Sequence, residues 1–409
     1  MFDISQYPYD AKHHALEVAG EAMIFHCHHY INYLQRSILD AEYIDSARFM
    51  VGAAADSVKN QLSHLCLDLS LVDSIAMAES MYQTFGYGLI DLSELSPDGG
   101  IFKTSKSFFS KTWQMKFGTA NQPVDYYTRG YLAAVYSTFY EIPLNEIQVT
   151  QSHCMACGDE FNQFEIGRGK GNFDIYPAKR PSRFIESTAP TIGWEHEATI
   201  TNAFLGAHQM FVGNAEGLIP AFGVYLVRNQ SDYVNRLQFE FMRKMKEVVG
   251  DYGEVLASEL LLEAGHACGF FTYAGLMTSN EWQHAVQPYL KTREDWIYGL
   301  LSVINTMGWG YHTVIELSET RAVFRNYNDF EDLSYQRMYG TSDYPVHWAN
   351  SGGFTGLMQL VYQTDLVSGH PINSEEGFRQ MRRAKAKYKT HMKKSIACGD
   401  DYLEVEITL

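Results

Sequence analysis

Along this chain the apolar residues recur with the period of a helix in some windows and alternate in others, and the two kinds of window follow one another in the same order twice. Ile31, Leu34 and Ile38 fall on one helical stripe, and Val234, Leu237 and Phe241 draw the same stripe about half the chain later. Both stripes predict a helix with one buried face. Asn32 with Gln35, and Asn235 with Gln238, sit three apart on another face and suit either a hydrogen-bonded helix contact or solvent. Short apolar runs after a Gly-aromatic-Gly turn, 89–92 after Gly86-Tyr87-Gly88 and 313–317 after Gly308-Trp309-Gly310, predict strands. Partial alternation over 161–166 and 402–407 predicts a closing strand in each half. Residues 259–273 read as helix, yet Gly265 and Gly269 stand four apart within it. A helical glycine costs about 1 kcal/mol against alanine, so the pair predicts a neighbouring backbone in close approach.

The repetition extends to particular residues. Tyr30 to Gln35 (YINYLQ) matches Tyr233 to Gln238 (YVNRLQ), and Asp91 to Glu94 matches Glu316 to Glu319. Trp113-Gln114 through Phe117-Gly118 matches Tyr335-Gln336 through Tyr339-Gly340, and Ala156 to Asp159 matches Ala397 to Asp400. The blocks are collinear, and the offset grows from 203 residues (233 − 30) to 241 (397 − 156), so the second copy carries longer loops. We therefore expect an α/β (α+β) chain of two tandem modules, each made of helices packed on a small, mainly antiparallel sheet. Residues 1–170 form the first module, 171–200 a linker marked by glycine, proline and basic side chains, and 201–409 the second.

Bulk properties narrow the partners. A net charge of −16 repels phosphate backbones and anionic membranes, so nucleic acid is not expected. No apolar stretch approaches the length of a membrane span, and the first residues lack the basic and apolar regions of a signal peptide. Six cysteines in 409 residues do not form a disulfide framework, which fits reduced thiols and a cytoplasmic location. Aromatic residues, 14% of the chain, suit either large cores or a ring-lined pocket.

The run Glu263 to Gly269 (EAGHACG), the helix ending at Gly308-Trp309-Gly310, the strand to Leu317, the segment Phe330 to Gly340, the glycine-centred helix around Gly352 and the ending Ala397 to Asp400 resemble the 4-vinyl reductase domain. The first half follows the same plan through Gly52, Gly86-Tyr87-Gly88, Phe108 to Gly118, Gly130 and Cys154 to Asp159. The resemblance covers most of both halves. It implies an α/β module enclosing a small-molecule pocket, and a tendency to dimerise that two copies in one chain satisfy by pairing internally, with a homodimer as a further option. Many members hold zinc with one cysteine before the Ala-x-Gly and another four residues after the glycine. The matching positions here are Cys154 and Asn162 in the first half and Ser395 and Leu403 in the second, so neither half keeps that cysteine pair.

Two constellations could carry chemistry. His153-Cys154-Met155-Ala156-Cys157 holds a CxxC, half of a tetrahedral thiolate site, with packing or redox chemistry as the alternatives. In His26-Cys27-His28-His29, a helix extended back from the Ile31 stripe would bury Cys27 and set His26 and His29 three apart, able to share a metal. Glu21 could orient one imidazole, and His64 and Cys66 add ligands without defined spacing. His26, His28, His29, Cys154 and Cys157 are thus the metal candidates, with zinc or iron as the ion. For a ligand pocket the candidates are Phe109, Trp113, Phe117, Tyr126, Tyr127 and Tyr131 in the first half and Tyr335, Tyr339, Trp348 and Phe354 in the second, although an ordinary core would use the same rings. No serine triad, HExxH or phosphate loop is present. Three functions follow as expectations: binding or sensing a small hydrophobic or aromatic molecule, metal-dependent chemistry at the His/Cys cluster, or a structural adaptor.

Overall fold

The computed structural model describes residues 1–181, 184–186, 189–366, 374–383 and 387–409. The chain opens with a hairpin of β1 (Leu16–Val18) and β2 (Glu21–Cys27), turned through Ala19 and Gly20, both at positive φ. Helices α1 (His28–Leu39), α2 (Ser46–Leu65) and α3 (Leu71–Thr84) follow, then β3 (Gly100–Thr104), α4 (Phe108–Phe117), α5 (Tyr126–Tyr140), β4 (Ile147–His153) and β5 (Asn162–Arg168). After α6 (Glu197–Ala207) the succession recurs with additions. It runs through β6 (Ile219–Ala221), β7 (Val224–Gln230), α7 (Ser231–Val249), α8 (Asp251–Met277), α9 (Asn280–Ala285), α10 (Arg293–Ile304), β8 (Tyr311–Leu317) and β9 (Arg321–Tyr327). It closes with α11 (Phe330–Tyr339), α12 (Trp348–Gln363), α13 (Glu375–Arg382), β10 (Lys389–Lys394) and β11 (Leu403–Thr408). The fold is α+β with antiparallel sheets, as the pattern predicts.

The terminal sheets have orders β3-β5-β4 and β10-β11-β9-β8, the same plan with one strand more in the second half. Residues 89–92, predicted as a strand, are not one. Leu89 still donates its N–H to the Lys106 carbonyl at 2.9 Å, but Leu92 turns its N–H to the Glu79 carboxylate at 2.7 Å, and Asp91 accepts from Ser93 in a local turn. Side-chain acceptors thus take the donors that a ladder would need.

A third sheet, β1-β2-β7-β6, draws strands from both halves. In the β2/β7 pair Phe25 lies opposite Arg228, two positions separated by the same offset as Tyr30 and Tyr233, so the pair runs through a local two-fold axis. Contacts repeat across that axis. Trp309 Nε1–H donates to the Phe25 carbonyl and the Tyr87 hydroxyl donates to the Arg228 carbonyl, each at 2.8 Å. Phe25 N–H reaches the Met307 carbonyl at 3.0 Å and Arg228 N–H the Phe85 carbonyl at 2.9 Å. Each Gly-aromatic-Gly turn therefore docks on the other half's hairpin, and one apolar core runs through both halves.

Glycines set the helix pairs. On α12, a methyl at Gly352 would run into the Leu262 carbonyl, while Gly265 and Gly269 of α8 face the backbones of Ala349 and Gly353. The expectation for Gly265 and Gly269 holds. In the first half Gly130 of α5 abuts Val51 and Ala54 of α2 in the same way, which aligns Ala54 with Gly265, Val58 with Gly269, Tyr127 with Ala349 and Tyr131 with Gly353.

The stretch read as linker is tied down. α6 begins within it, and Lys179 is buried against Glu21 and 3.0 Å from Asp232, the latter also held by Arg337. Glu21 therefore belongs to this ionic cluster, not to His26 as the spacing suggested. Burial in the cluster pushes its carboxyl up to about 7 against the pull of Lys179. Among the described residues no helix is long and apolar enough to cross a membrane.

Candidate functional site

Where β2 and the start of α1 meet α8, α12 and the Gly308-Trp309-Gly310 turn, a small cavity of about 10 Å³ opens, room for about one water. Its walls are rings: His26, Tyr30, Tyr273, Trp309 and Phe330, with Asn350 beside them. Its floor is the glycine crossing, Gly265, Gly269 and Gly353, where missing side chains leave the space. Two of the rings come from the first half of the chain and the rest from the second.

His26 lies on β2, not on a helix, so it does not share a face with His29 as the spacing suggested; Cys27, the last residue of β2, caps α1. The His26 ring stacks on Tyr30 at 4.3 Å between centroids and lies 5.3 Å from Trp309. Neither of its nitrogens has a hydrogen-bond partner among the described residues, and the buried Tyr30 hydroxyl has none either. Burial pushes the imidazole down to about 3, so the ring is neutral. A buried polar atom left unpaired costs about 1–3 kcal/mol, and two residues that line this cavity carry three of them. Asn350 is differently placed. Its amide pairs with His312 at 3.1 Å and with Asp329, which also caps α11, and burial raises that carboxyl well above its ordinary range.

The first half presents the same architecture with the space taken. Tyr127 stands where the second half has Ala349, Tyr131 where it has Gly353, and Val58 where it has Gly269. Tyr127 packs 4.2 Å from Tyr87 and 5.3 Å from Phe109, and its hydroxyl reaches Gln230 at 3.1 Å. The Tyr131 hydroxyl donates to the Ala78 carbonyl at 2.6 Å.

The ten ring candidates thus separate. Phe109, Tyr127 and Tyr131 share the first-half cluster. Trp113 and Tyr126 line an open cleft with the acidic Asp40 and Glu42, and Phe117 packs edge-on between Trp113 and Tyr33. Tyr335 and Tyr339 pack on Phe239, Trp348 donates to Ser258 at 2.9 Å, and Phe354 stacks on Phe324 at 4.4 Å. The four second-half rings lie on α11 and α12, and none of them lines the cavity. The lining residues missed in the sequence are His26 as a wall group, Tyr30, Tyr273, Trp309 and Phe330. The glycine pair and the Gly-Trp-Gly turn were the signals that pointed to the place.

The metal candidates do not converge. His26 faces the cavity, while His28 and His29, rings 3.9 Å apart, border an open cleft beside Lys116 and Phe271. His28 accepts the Tyr225 N–H at 3.1 Å, and burial pushes it down to about 4. Cys154 and Cys157 sit in a separate apolar cluster with Trp113. Of the added ligands, His64 bonds the Asn60 carbonyl on its own helix. At the positions where the resemblance implies zinc, Cys154 Sγ lies 3.8 Å from Ser110 Oγ, and Asn162 accepts from Ser110 and from the Met155 N–H. In the second half Ser395 and the Ile396 N–H both donate to Asp332. Burial and Cys154 push the Cys157 thiol up to about 12, against thiolate formation. A thiol, a hydroxyl and a carboxamide bonded to one another do not fit a zinc set. Among the described residues no group of three or more His, Cys, Asp or Glu could hold a metal ion.

Fold and site together define an α+β protein with antiparallel sheets and a ring-walled cavity where elements from both halves of the chain meet. No family model matches the chain, and no curated protein matches it. Among solved structures, the phenol-responsive sensory domain of the transcription activator PoxR, crystallised with phenol, is similar over 38% of this chain and 80% of its own length, with 17% identity and a TM-score of 0.32.

Proposed function

We propose that the chain binds one small aromatic molecule carrying a single hydroxyl or comparable polar group, in the cavity between β2, α8 and α12, and serves as a ligand-binding or sensing protein. The observation that supports this reading is that His26 and Tyr30, which line a glycine-floored space with aromatic walls, carry buried polar atoms without hydrogen-bond partners among the described residues, both His26 nitrogens and the Tyr30 hydroxyl. Apolar rings supply burial and a few polar atoms set orientation, the usual division of labour in small-molecule sites. A cavity of about 150 Å³ accepts benzene, so a ring enters here only as the wall opens. The His26–Tyr30 stack has no side-chain hydrogen bonds to hold it shut. Because those residues belong to β2 and α1, opening would act on the β2/β7 junction, and a ligand that favours the open form would shift the arrangement of the halves. With Tyr127 and Tyr131 in the counterpart space, the reading assigns one ligand to each chain.

Native mass spectrometry of gently purified protein, followed by thermal melts with phenol and toluene, tests the proposal. We expect a rise in Tm with phenol that exceeds the rise with toluene, which lacks the hydroxyl. No bound molecule and no shift with either compound contradicts it.

A further inference from the structure

We propose that Cys27 and Cys268 form a reversible disulfide that joins the two halves of the chain at the cavity wall, with hydrogen peroxide as the oxidant. The sulfurs come from opposite halves, one from the end of β2 and the other from α8, and stand 3.9 Å apart with both side chains buried. A disulfide needs about 2.05 Å, so the pair must close by roughly 2 Å. Thr272, one turn beyond Cys268, holds its hydroxyl 2.6 Å from the Cys27 sulfur and 3.4 Å from that of Cys268. Cys27 is also the N-cap of α1, where its sulfur accepts the Tyr30 N–H at 3.5 Å. Helix N-termini favour a thiolate. Burial opposes ionisation of Cys27, and hydrogen bonds from Cys268, Thr272 and the N–H groups of Tyr30 and His29 outweigh it, bringing the thiol down to about 7. The bond with Cys27, and then burial, push Cys268 up.

The opposite junction shows that packing does not require thiols here. There Gln230 occupies the place of Cys27, Gln61 that of Thr272 and Ser57 that of Cys268. Gln230 Nε2–H donates to Gln61 Oε1 at 2.8 Å, so an amide pair bridges the halves. A dithiol in the equivalent position adds chemistry that the amides cannot perform. Size also suits the oxidant. Cys268 lines a cavity with room for about one water, and hydrogen peroxide is little larger, whereas a bulky disulfide reagent is excluded.

The step balances. A thiolate of the pair attacks one peroxide oxygen, the O–O bond breaks, and the departing hydroxide takes a proton to become water. The second sulfur then displaces hydroxide from the resulting sulfenic acid, which leaves as water with the second thiol proton. Two thiols are oxidised to one disulfide, and one peroxide is reduced to two waters.

The test uses the full chain with all six cysteines, treated under native conditions with hydrogen peroxide or with oxidised glutathione, then digested without reductant and mapped by mass spectrometry. The expected product is a linked peptide pair containing Cys27 and Cys268, lighter by two hydrogens, reversed by dithiothreitol, and formed faster with peroxide than with oxidised glutathione. Cys27→Ser and Cys268→Ser each abolish the link. Thr272→Val, which keeps both thiols, slows it severalfold. The proposal is overturned if peroxide modifies Cys66, Cys154, Cys157 or Cys398 while Cys27 and Cys268 remain reduced, or if the link forms only after unfolding. Wild-type mapping decides even if a serine variant fails to fold. The disulfide does not depend on the ligand reading, since it can form in a chain that binds no aromatic molecule.

Discussion

At the residue scale, His26 and Tyr30 are kept at a cost. Their unpaired polar atoms weaken the fold, so Tyr30→Phe should leave stability unchanged or raise it, by up to about 1–3 kcal/mol, while lowering affinity for phenol about tenfold. Denaturant melts and a phenol titration read the two effects separately. His26 adds a pH signature. In the fold its ring titrates at about 3, against roughly 6.5 in the unfolded chain, so the unfolded chain takes up the proton first. The loss of stability begins as pH falls below about 6.5 and grows until about 3. The difference in Tm between His26→Phe and wild type should therefore move in favour of the variant as pH drops from about 7 to about 4.5. A difference independent of pH would mean that the ring is hydrogen-bonded or charged in solution. The sequence marked His26 for chemistry but gave it the wrong neighbours, because a helix drawn back from Ile31 overran the end of β2.

At the scale of elements, the glycines of the α8/α12 crossing divide into two kinds. Gly352 faces the Leu262 carbonyl, so Gly352→Ala should cost about 3 kcal/mol or more, seen as a lower urea midpoint at unchanged m-value. Gly353 faces the cavity, where a methyl would meet the end of the Tyr273 ring at 3.1 Å. Gly353→Ala should stay within about 1 kcal/mol of wild type and weaken phenol binding. Equal destabilisation by both variants would show that the space beside Gly353 closes in solution. Helices with one buried face and the glycine crossing were legible because periodicity and composition encode them directly. The strand at 89–92 was not. The Leu92 N–H is taken by Glu79 and the next, that of Ser93, by Asp91, and a local pattern does not record a competitor. β2 is buried over nearly its whole length, so it lacks the alternation that marks a half-exposed strand.

At the scale of the whole molecule, the matching residues pointed to two similar halves, but the way the halves join was not legible. Pairing of Phe25 opposite Arg228 depends on a contact between segments some 200 residues apart, and no window of sequence contains it. The shared sheet and continuous core predict one cooperative thermal transition for the full chain. Residues 201–409 expressed alone lack His26 and Tyr30, so they should show no Tm shift with phenol even if folded. Mixing in residues 1–170 should restore it. Two separate transitions, or a phenol response from the second half alone, would place the site within one half.

Titration calorimetry with phenol tests the central claim most directly, comparing wild type with Gly353→Tyr, which gives the second half the ring found at Tyr131 in the first. The account predicts one phenol per chain for wild type, weaker binding of toluene, and no binding to a folded Gly353→Tyr. No heat with wild type, two equivalent sites, or an unchanged isotherm in the variant would contradict it.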